Sequence, residues 1–237
     1  MKALIVDSRI DSKCERALLR EGFYLFKLPP DLSLGEAVRS HPDTLLFFAD
    51  NEIITTVDYC DSAAYVFTDI REYFPKIKLI FSDESRNSEY PLDCIMNALK
   101  INEKIFCKAD SISKAILDFA RRNEYEIIST RQGYPACAVL KFENNAITAD
   151  RGMAKILSDN GISVCLIESG SILLQPHEYG FIGGASFVYN DKVFFFGDLM
   201  SHPDGKLIEK FIKDAGFIPI SLSDEKLVDF GGAFVLE

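Results

Sequence analysis

Five copies of one short pattern run along the 237-residue chain, and the fifth copy is split between its two ends. Each copy reads apolar strand, turn, apolar strand ending at an aspartate, helix, apolar strand. The aspartates are Asp7, Asp58, Asp110, Asp150 and Asp198, spaced by 51, 52, 40 and 48 residues on subtraction. Internal periods of about 20–50 residues mark repeat architectures, in which one unit buries its apolar face only against its neighbours.

The clearest copy runs from Ala136 to Glu168: ACAVLKF, turn ENN, AITAD, helix RGMAKILSDNG, then ISVCLIE. The next copy is GASFVY, KVFFFGD, helix PDGKLIEKFIKDAG, FIPISL. An earlier one is CIMNAL, KIFCKAD, helix SISKAILDFARRN, YEIIST. The least regular is TLLFFA, EIITTVD, CDSAAYVFTDIREYF, KLIFSD. An Asp or Ser before an amphipathic run offers its side-chain oxygen to an orphan backbone N–H, so the aspartates read as helix N-caps in most copies. Gly22, Gly161 and Gly216 follow helices at the C-cap place, where a left-handed residue is needed.

The ends carry the topology. MKALIVD is a second strand with no first strand before it, and GGAFVLE is a first strand with nothing after it. GGAFVLE matches GGASFVY one copy earlier, with Gly232 set against Gly184. The expectation is an α/β fold of one domain, residues 1–237, in which five ββαβ units form a closed ring. Gly232–Glu237 pairs with Met1–Asp7 to complete the last unit. Small residues at the first-strand starts (Ala136, Gly184, Gly232) place those strands at the axis and the helices outside.

Composition narrows the function classes. No run of 18 or more apolar residues occurs, so no membrane span is expected, and no basic region precedes a long apolar stretch as in a signal peptide. Six cysteines stand at 14, 60, 94, 107, 137 and 165 without a C-x-x-C pair. In a chain of this size they read as reduced thiols and a cytoplasmic location. With a net charge of −10 and no basic patch interleaved with aromatics, nucleic-acid binding is not expected. A small cationic ligand or a basic partner suits the charge.

The stretches QGYPAC, ITADRGMAKIL and GFIGGAS, together with the fivefold ββαβ pattern, resemble an uncharacterised bacterial family of the pentein fold. That fold is shared by guanidino-modifying enzymes (arginine and agmatine deiminases, dimethylarginine hydrolases, amidinotransferases) and by a ribosome anti-association factor without a catalytic site. The resemblance implies a ring around a central channel. It implies either binding or modification of a small guanidino or amine ligand there, by an amidinohydrolase, deiminase or amidinotransferase reaction if the chain is catalytic. The alternative is a non-catalytic macromolecular interaction protein like the anti-association factor. In the enzymes a nucleophilic Cys lies late in the chain, a few residues after a glycine, with a His mid-chain and acids that grip the guanidinium. Here the late glycine strands GGASFV and GGAFVL contain no Cys, and the glycine-then-Cys strand is Gly133–Cys137, which precedes His177-Glu178.

Those residues define the candidates. Cys137 is either a small packing residue or a thiolate nucleophile, with His177 as the base available to it. Strand alternation puts Cys137, Val139 and Lys141 on one face, and an offset of 48 sets Cys137 against Ala185 and Ala233. Gly183, Gly184, Gly231 and Gly232 either let strands pack closely or present backbone N–H groups to a ligand. Glu178 and Asp229 place one acid near each glycine pair, a setting for a cation. His41 and His202 each precede Pro and read as turn or helix-start residues. No cofactor is expected, and three scattered histidines do not suggest a metal site.

Overall fold

The computed structural model describes residues 1–237. The chain opens with β1 (Ala3–Asp7), α1 (Ser12–Arg20) and β2 (Tyr24–Leu28). A short helix α2 (Pro42–Leu45) leads to β3 (Phe47–Ala49), β4 (Glu52–Thr56), the helices α3 (Val57–Ser62) and α4 (Ala64–Tyr73), and β5 (Lys78–Ser82). The third unit is β6 (Leu99–Ile101), β7 (Lys104–Cys107), α5 (Lys114–Arg122) and β8 (Glu126–Ser129). The fourth is α6 (Pro135–Ala138), β9 (Val139–Phe142), β10 (Asn145–Thr148), α7 (Arg151–Asp159) and β11 (Ser163–Leu166). The fifth is β12 (Ser186–Tyr189), β13 (Lys192–Phe195), a 3-10 turn at Leu199–Ser201, α8 (Gly205–Asp214) and β14 (Ile218–Ser221); β15 (Phe234–Leu236) ends the chain.

These strands form five three-stranded sheets. In every sheet the second strand is central, antiparallel to the first and parallel to the third, as a helix crossover requires. The first sheet draws on both ends of the chain: Ala3, Leu4 and Ile5 of β1 pair with Leu236, Val235 and Phe234 of β15. In the other four sheets two-residue hairpins join the first strand to the second. Asn102 and Asn190 sit there with φ of 52°, in the left-handed region that short polar side chains tolerate.

Buried side chains gather in five clusters, each shared by two sheets. One joins Ile5, Phe26 and Leu236 of the first sheet to Ile53 and the α3–α4 residues Tyr59, Phe67 and Ile70. Others join the second sheet to the third, the third to the fourth and the fourth to the fifth. The remaining cluster sets Leu4, Val6, Cys14 and Phe23 near the start against Phe187, Phe194 and Phe196 of the last sheet. In it Phe187 stacks on Phe194 with ring centroids 4.8 Å apart.

Three expectations are corrected. The repeated aspartates cap a helix or 3-10 turn in two of the five units, not in most of them. Asp150 and Asp198 do so, accepting from Met153 N–H and Met200 N–H, but Asp11 caps α1, Thr56 caps α3 and Ser113 caps α5. The number of residues between strand and helix varies from unit to unit, so the aspartate is not always at the first turn. The first strands are also shorter than the apolar runs suggest. Pro42 and Pro135 start short helices just ahead of two of them, so ACAVLKF is extended only from Val139 and Cys137 lies on a helical turn. CIMNAL is extended only at Leu99.

The third correction is the repeat offset. Leu140, Phe187 and Phe234 hold equivalent places, opposite Ile147, Phe194 and Ile5. They are 47 apart (187 − 140 and 234 − 187), not 48. The residues three places earlier are therefore Cys137, Gly184 and Gly231, with Thr44 and Met96 matching them ahead of Phe47 and Leu99.

Candidate functional site

The residues that precede the first strands converge. His41 stands at the N-cap position of α2 without a side-chain cap bond and Asp43 lies inside that helix, Asn97 precedes β6, Cys137 lies on α6, and the glycine pairs precede β12 and β15. All are held by backbone contacts between units. Gly184 N–H donates to the Cys137 carbonyl at 3.0 Å, and Gly232 N–H donates to the Gly184 carbonyl at 2.8 Å. Asn97 ties two units together. Its Nδ2 donates to the Asp43 carbonyl at 2.9 Å and to Cys137 Sγ at 3.2 Å, while its Oδ1 accepts from Ala136 N–H at 2.8 Å.

The centre is acidic and buried. Asp7, His41, Asp43, Asn97, Cys137 and Asp229 are all buried. Asp7 is matched by Arg9, whose Nη2 lies 2.6 Å from Oδ2. Asp229 accepts from Phe181 N–H and Gly231 N–H, each at 2.9 Å. Asp43 Oδ1 accepts from the Thr44 hydroxyl at 3.2 Å, but Asp43 Oδ2 has no hydrogen-bond partner. His41 Nδ1 has none either, at 3.6 Å from Asp229 Oδ1, and its Nε2 is 3.8 Å from Asp7 Oδ2.

Burial raises the Asp43 carboxyl to about 6, and the Cys137 thiol and Thr44 hydroxyl beside it offset only part of that. Burial and then the Asp43 charge raise Asp229 to about 7, against the pull of its two amides. The Cys137 thiol is driven well above its usual range by burial first, then by Asp43 and Asp229. His41 is pushed down to about 3 by burial and by the charges of Arg9 and His177, so its imidazole is neutral. In physical terms the centre holds two carboxyls that lack a counter-ion.

Asp43 is one of the residues that line a cavity of about 500 Å³. Residues from the first strand of every sheet line it: Phe48, Leu99, Val139, Phe187 and Phe234 among them, with Gly183, Gly231 and Gly232 at the Asp43 end. The glycines make this convergence sterically feasible. A Cβ on Gly184 would lie 2.0 Å from Asp229 Oδ1, and Gly231, at φ +69°, would put one 2.3 Å from His41 Cβ. The N–H groups of Gly184, Gly231 and Gly232 are all used within the protein.

Of the residues singled out in the sequence, Cys137, Asp229 and the four glycines come together here. His177 and Glu178 are exposed on the connection 167–185. No hydrogen bond joins Cys137 to His177, whose charge is instead felt by His41. Sequence reasoning missed Asp43, Asn97 and the inward role of His41 and Asp7. The run His41-Pro42-Asp43 just ahead of a first strand was the available signal, because it sets a histidine and an acid where each other copy has at most one acid and no histidine. No group of three or more His, Cys, Asp or Glu side chains is arranged to hold a metal ion. No helix is long and apolar enough to cross a membrane.

Solved structures share this fold. Dimethylarginine dimethylaminohydrolase of Pseudomonas aeruginosa superposes with a TM-score of 0.57 and 10% identity, over 94% of this chain and 92% of that one. Inosamine-phosphate amidinotransferase of Streptomyces griseus gives 0.59 and 11%, over 97% and 90%. Agmatine deiminase of C. jejuni gives 0.57 and 9%, over 93% and 87%. All have the pentein fold, and at these identities the likeness is one of fold. No curated protein matches the sequence. Residues 5–234 match a family described as being of unknown function (DUF6873). The chain belongs to that family, and its fold is the pentein fold.

Proposed function

We propose that this chain binds a small organic cation of the guanidino or amine class, in the channel of a closed ring of five units forming one domain. The observation that carries the reading is Asp43 Oδ2, a buried carboxylate oxygen without a partner, on a residue that lines the cavity. An amidinium or ammonium group donating to Oδ2 would supply the missing hydrogen bond and favour ionisation of Asp43 and of Asp229 behind it. The closed ring is supported by the β1–β15 pairing, by five clusters that link successive sheets and the last sheet to the first, and by a cavity to which every first strand contributes. The guanidino class is supported by the pentein-fold proteins above, two of which are named for acting on dimethylarginine and agmatine.

Cys137 is the thiol nearest this carboxylate pair, and in a modifying enzyme it would be the nucleophile, with His177 carried in on its loop. The Cys137 surroundings hold the thiol protonated while the site is empty. A bound cation would favour the thiolate by neutralising Asp43 and Asp229. Binding therefore comes first in either version of the reading, and binding is what the experiment addresses. At pH 8, agmatine at a hundred times its Kd should raise the melting temperature of the full chain by about 5–10 °C. Urea, a neutral isostere of guanidinium, at the same low concentration should not. Asp43→Asn should abolish the agmatine shift. No shift in the wild type, or an equal shift in Asp43→Asn, would refute the proposal.

A further inference from the structure

The polarity of the channel reverses at its other end. Lys100 of β6 and Lys141 of β9 both line the cavity there, with Asn102 at the adjoining turn. Only Lys100 has a carboxylate partner: its Nζ is 3.3 Å from Asp50 Oδ1 and 4.5 Å from the centre of the Tyr125 ring. Asp50 is further engaged, since its Oδ2 accepts from the Tyr125 hydroxyl at 2.6 Å. Lys141 Nζ donates to the Lys100 carbonyl and makes no ion pair. Lys141 lines the cavity with its side chain exposed there, and no carboxylate pairs with it.

This ammonium stands on the cavity wall beside a second lysine and has no counter-charge of its own. The Lys141 amine is accordingly pushed down to about 8, by burial first and then by the Lys100 charge, with Asp50 opposing. Besides Asp50, the acid at this end is the exposed Glu143 on the β9–β10 turn, which pairs with no lysine. We propose that the Lys141–Lys100 end of the channel binds a small oxyanion, a carboxylate or an inorganic oxyanion, gripped by the Lys141 ammonium. Charge-assisted N–H···O⁻ bonds would satisfy the free donors of Lys141, and the anion would relieve the repulsion between the two amines. The site does not depend on cation binding at Asp43, although one cavity joins the two ends.

The test uses the full chain with sulfate and, separately, acetate, against chloride at constant ionic strength. At pH 7 either oxyanion should slow acetylation of Lys141 by acetic anhydride at least threefold, read by peptide mass spectrometry. Lys206, exposed on α8, should be unaffected. In calorimetric titration, Lys141→Gln should weaken binding of the same anion at least tenfold. Raising the pH from 7 to 9 should weaken sulfate binding in the wild type, because sulfate does not titrate there and Lys141 does. Equal protection of Lys141 and Lys206, no protection at all, or unchanged affinity in Lys141→Gln would overturn the proposal. The labelling experiment decides the matter on wild-type protein if the variant does not fold.

Discussion

The side-chain amide of Asn97 donates to the thiol of Cys137 across a unit boundary, at 3.2 Å. The same nitrogen holds the Asp43 carbonyl, and the side-chain oxygen of Asn97 holds Ala136 N–H. One fully buried side chain therefore fixes the two segments that carry the acid and the thiol. Replacing Asn97 with Ala leaves a buried carbonyl and a buried N–H unsatisfied. It should cost about 2–4 kcal/mol, as unmade buried hydrogen bonds do. Urea denaturation measures it, and a cost below about 0.5 kcal/mol would show that Asn97 is not the tie.

The glycine that matches Cys137 in the next unit is held by volume. A Cβ on Gly184 would meet the Asp229 carboxylate at 2.0, 2.6 and 2.9 Å, and no other group is nearer. Gly184→Ala should destabilise by about 2–4 kcal/mol. In an Asp229→Ala background, where that carboxylate is gone, the same substitution should cost less than half as much. Additive costs in the double-mutant cycle would mean that the clash is not with Asp229.

Acid–base behaviour follows from the same centre. Asp43 and Asp229 titrate near 6 and 7 in the folded chain against 3.8 for an ordinary aspartate. Above pH 4 the unfolded chain ionises them first, so their contribution to stability is present at low pH and lost as pH rises through about 6 and 7. His41 acts oppositely. Folded near 3 against 6.5, it makes stability rise with pH across that interval. Replacing Asp229 with Asn removes one of the two carboxyl contributions. The stability of Asp229→Asn relative to wild type should therefore increase between pH 4.5 and pH 7.5, by up to about 1.4 kcal/mol per pH unit. Urea midpoints at several pH values measure it; a difference constant with pH would refute the assignment.

Joining the chain ends should matter as much as any core substitution. Deleting Gly232–Glu237 removes β15, its ladder with β1, and the buried Leu236, together with the half-buried Phe234 and Val235. At about 1.5–3 kcal/mol per large apolar side chain, the loss is comparable with the whole stability of a typical domain. The truncated chain should lack a cooperative melting transition at 25 °C or above. A truncated chain that melts as the parent does would contradict the pairing.

Much of the fold was legible because each unit is local: strand, turn, strand, helix and strand lie within about 35–50 residues of one another, and the apolar runs mark them. The split unit was legible because MKALIVD and GGAFVLE are complementary fragments of one pattern. What local reasoning lost was register. An offset of 48 sets Cys137 against Ala185, whereas pairing sets it against Gly184, and Pro135 turns the chain before the strand begins. The site was less legible for a different reason. His41 reads as a helix-start residue and does stand at the N-cap position of α2, but its acidic neighbours are Asp7 and Asp229, 34 and 188 residues away on subtraction. Asp43 likewise owes its raised carboxyl and its orphan oxygen to contacts that no single unit contains.

The most direct test of the account is the affinity for agmatine as a function of pH, by isothermal titration calorimetry of wild type and Asp43→Asn. A cation held by Asp43 and Asp229 must displace their protons at low pH, so Kd should fall at least tenfold from pH 5 to pH 8 in the wild type. Asp43→Asn should bind at least tenfold more weakly than wild type at pH 8. A Kd independent of pH, or one unchanged by Asp43→Asn, would contradict it.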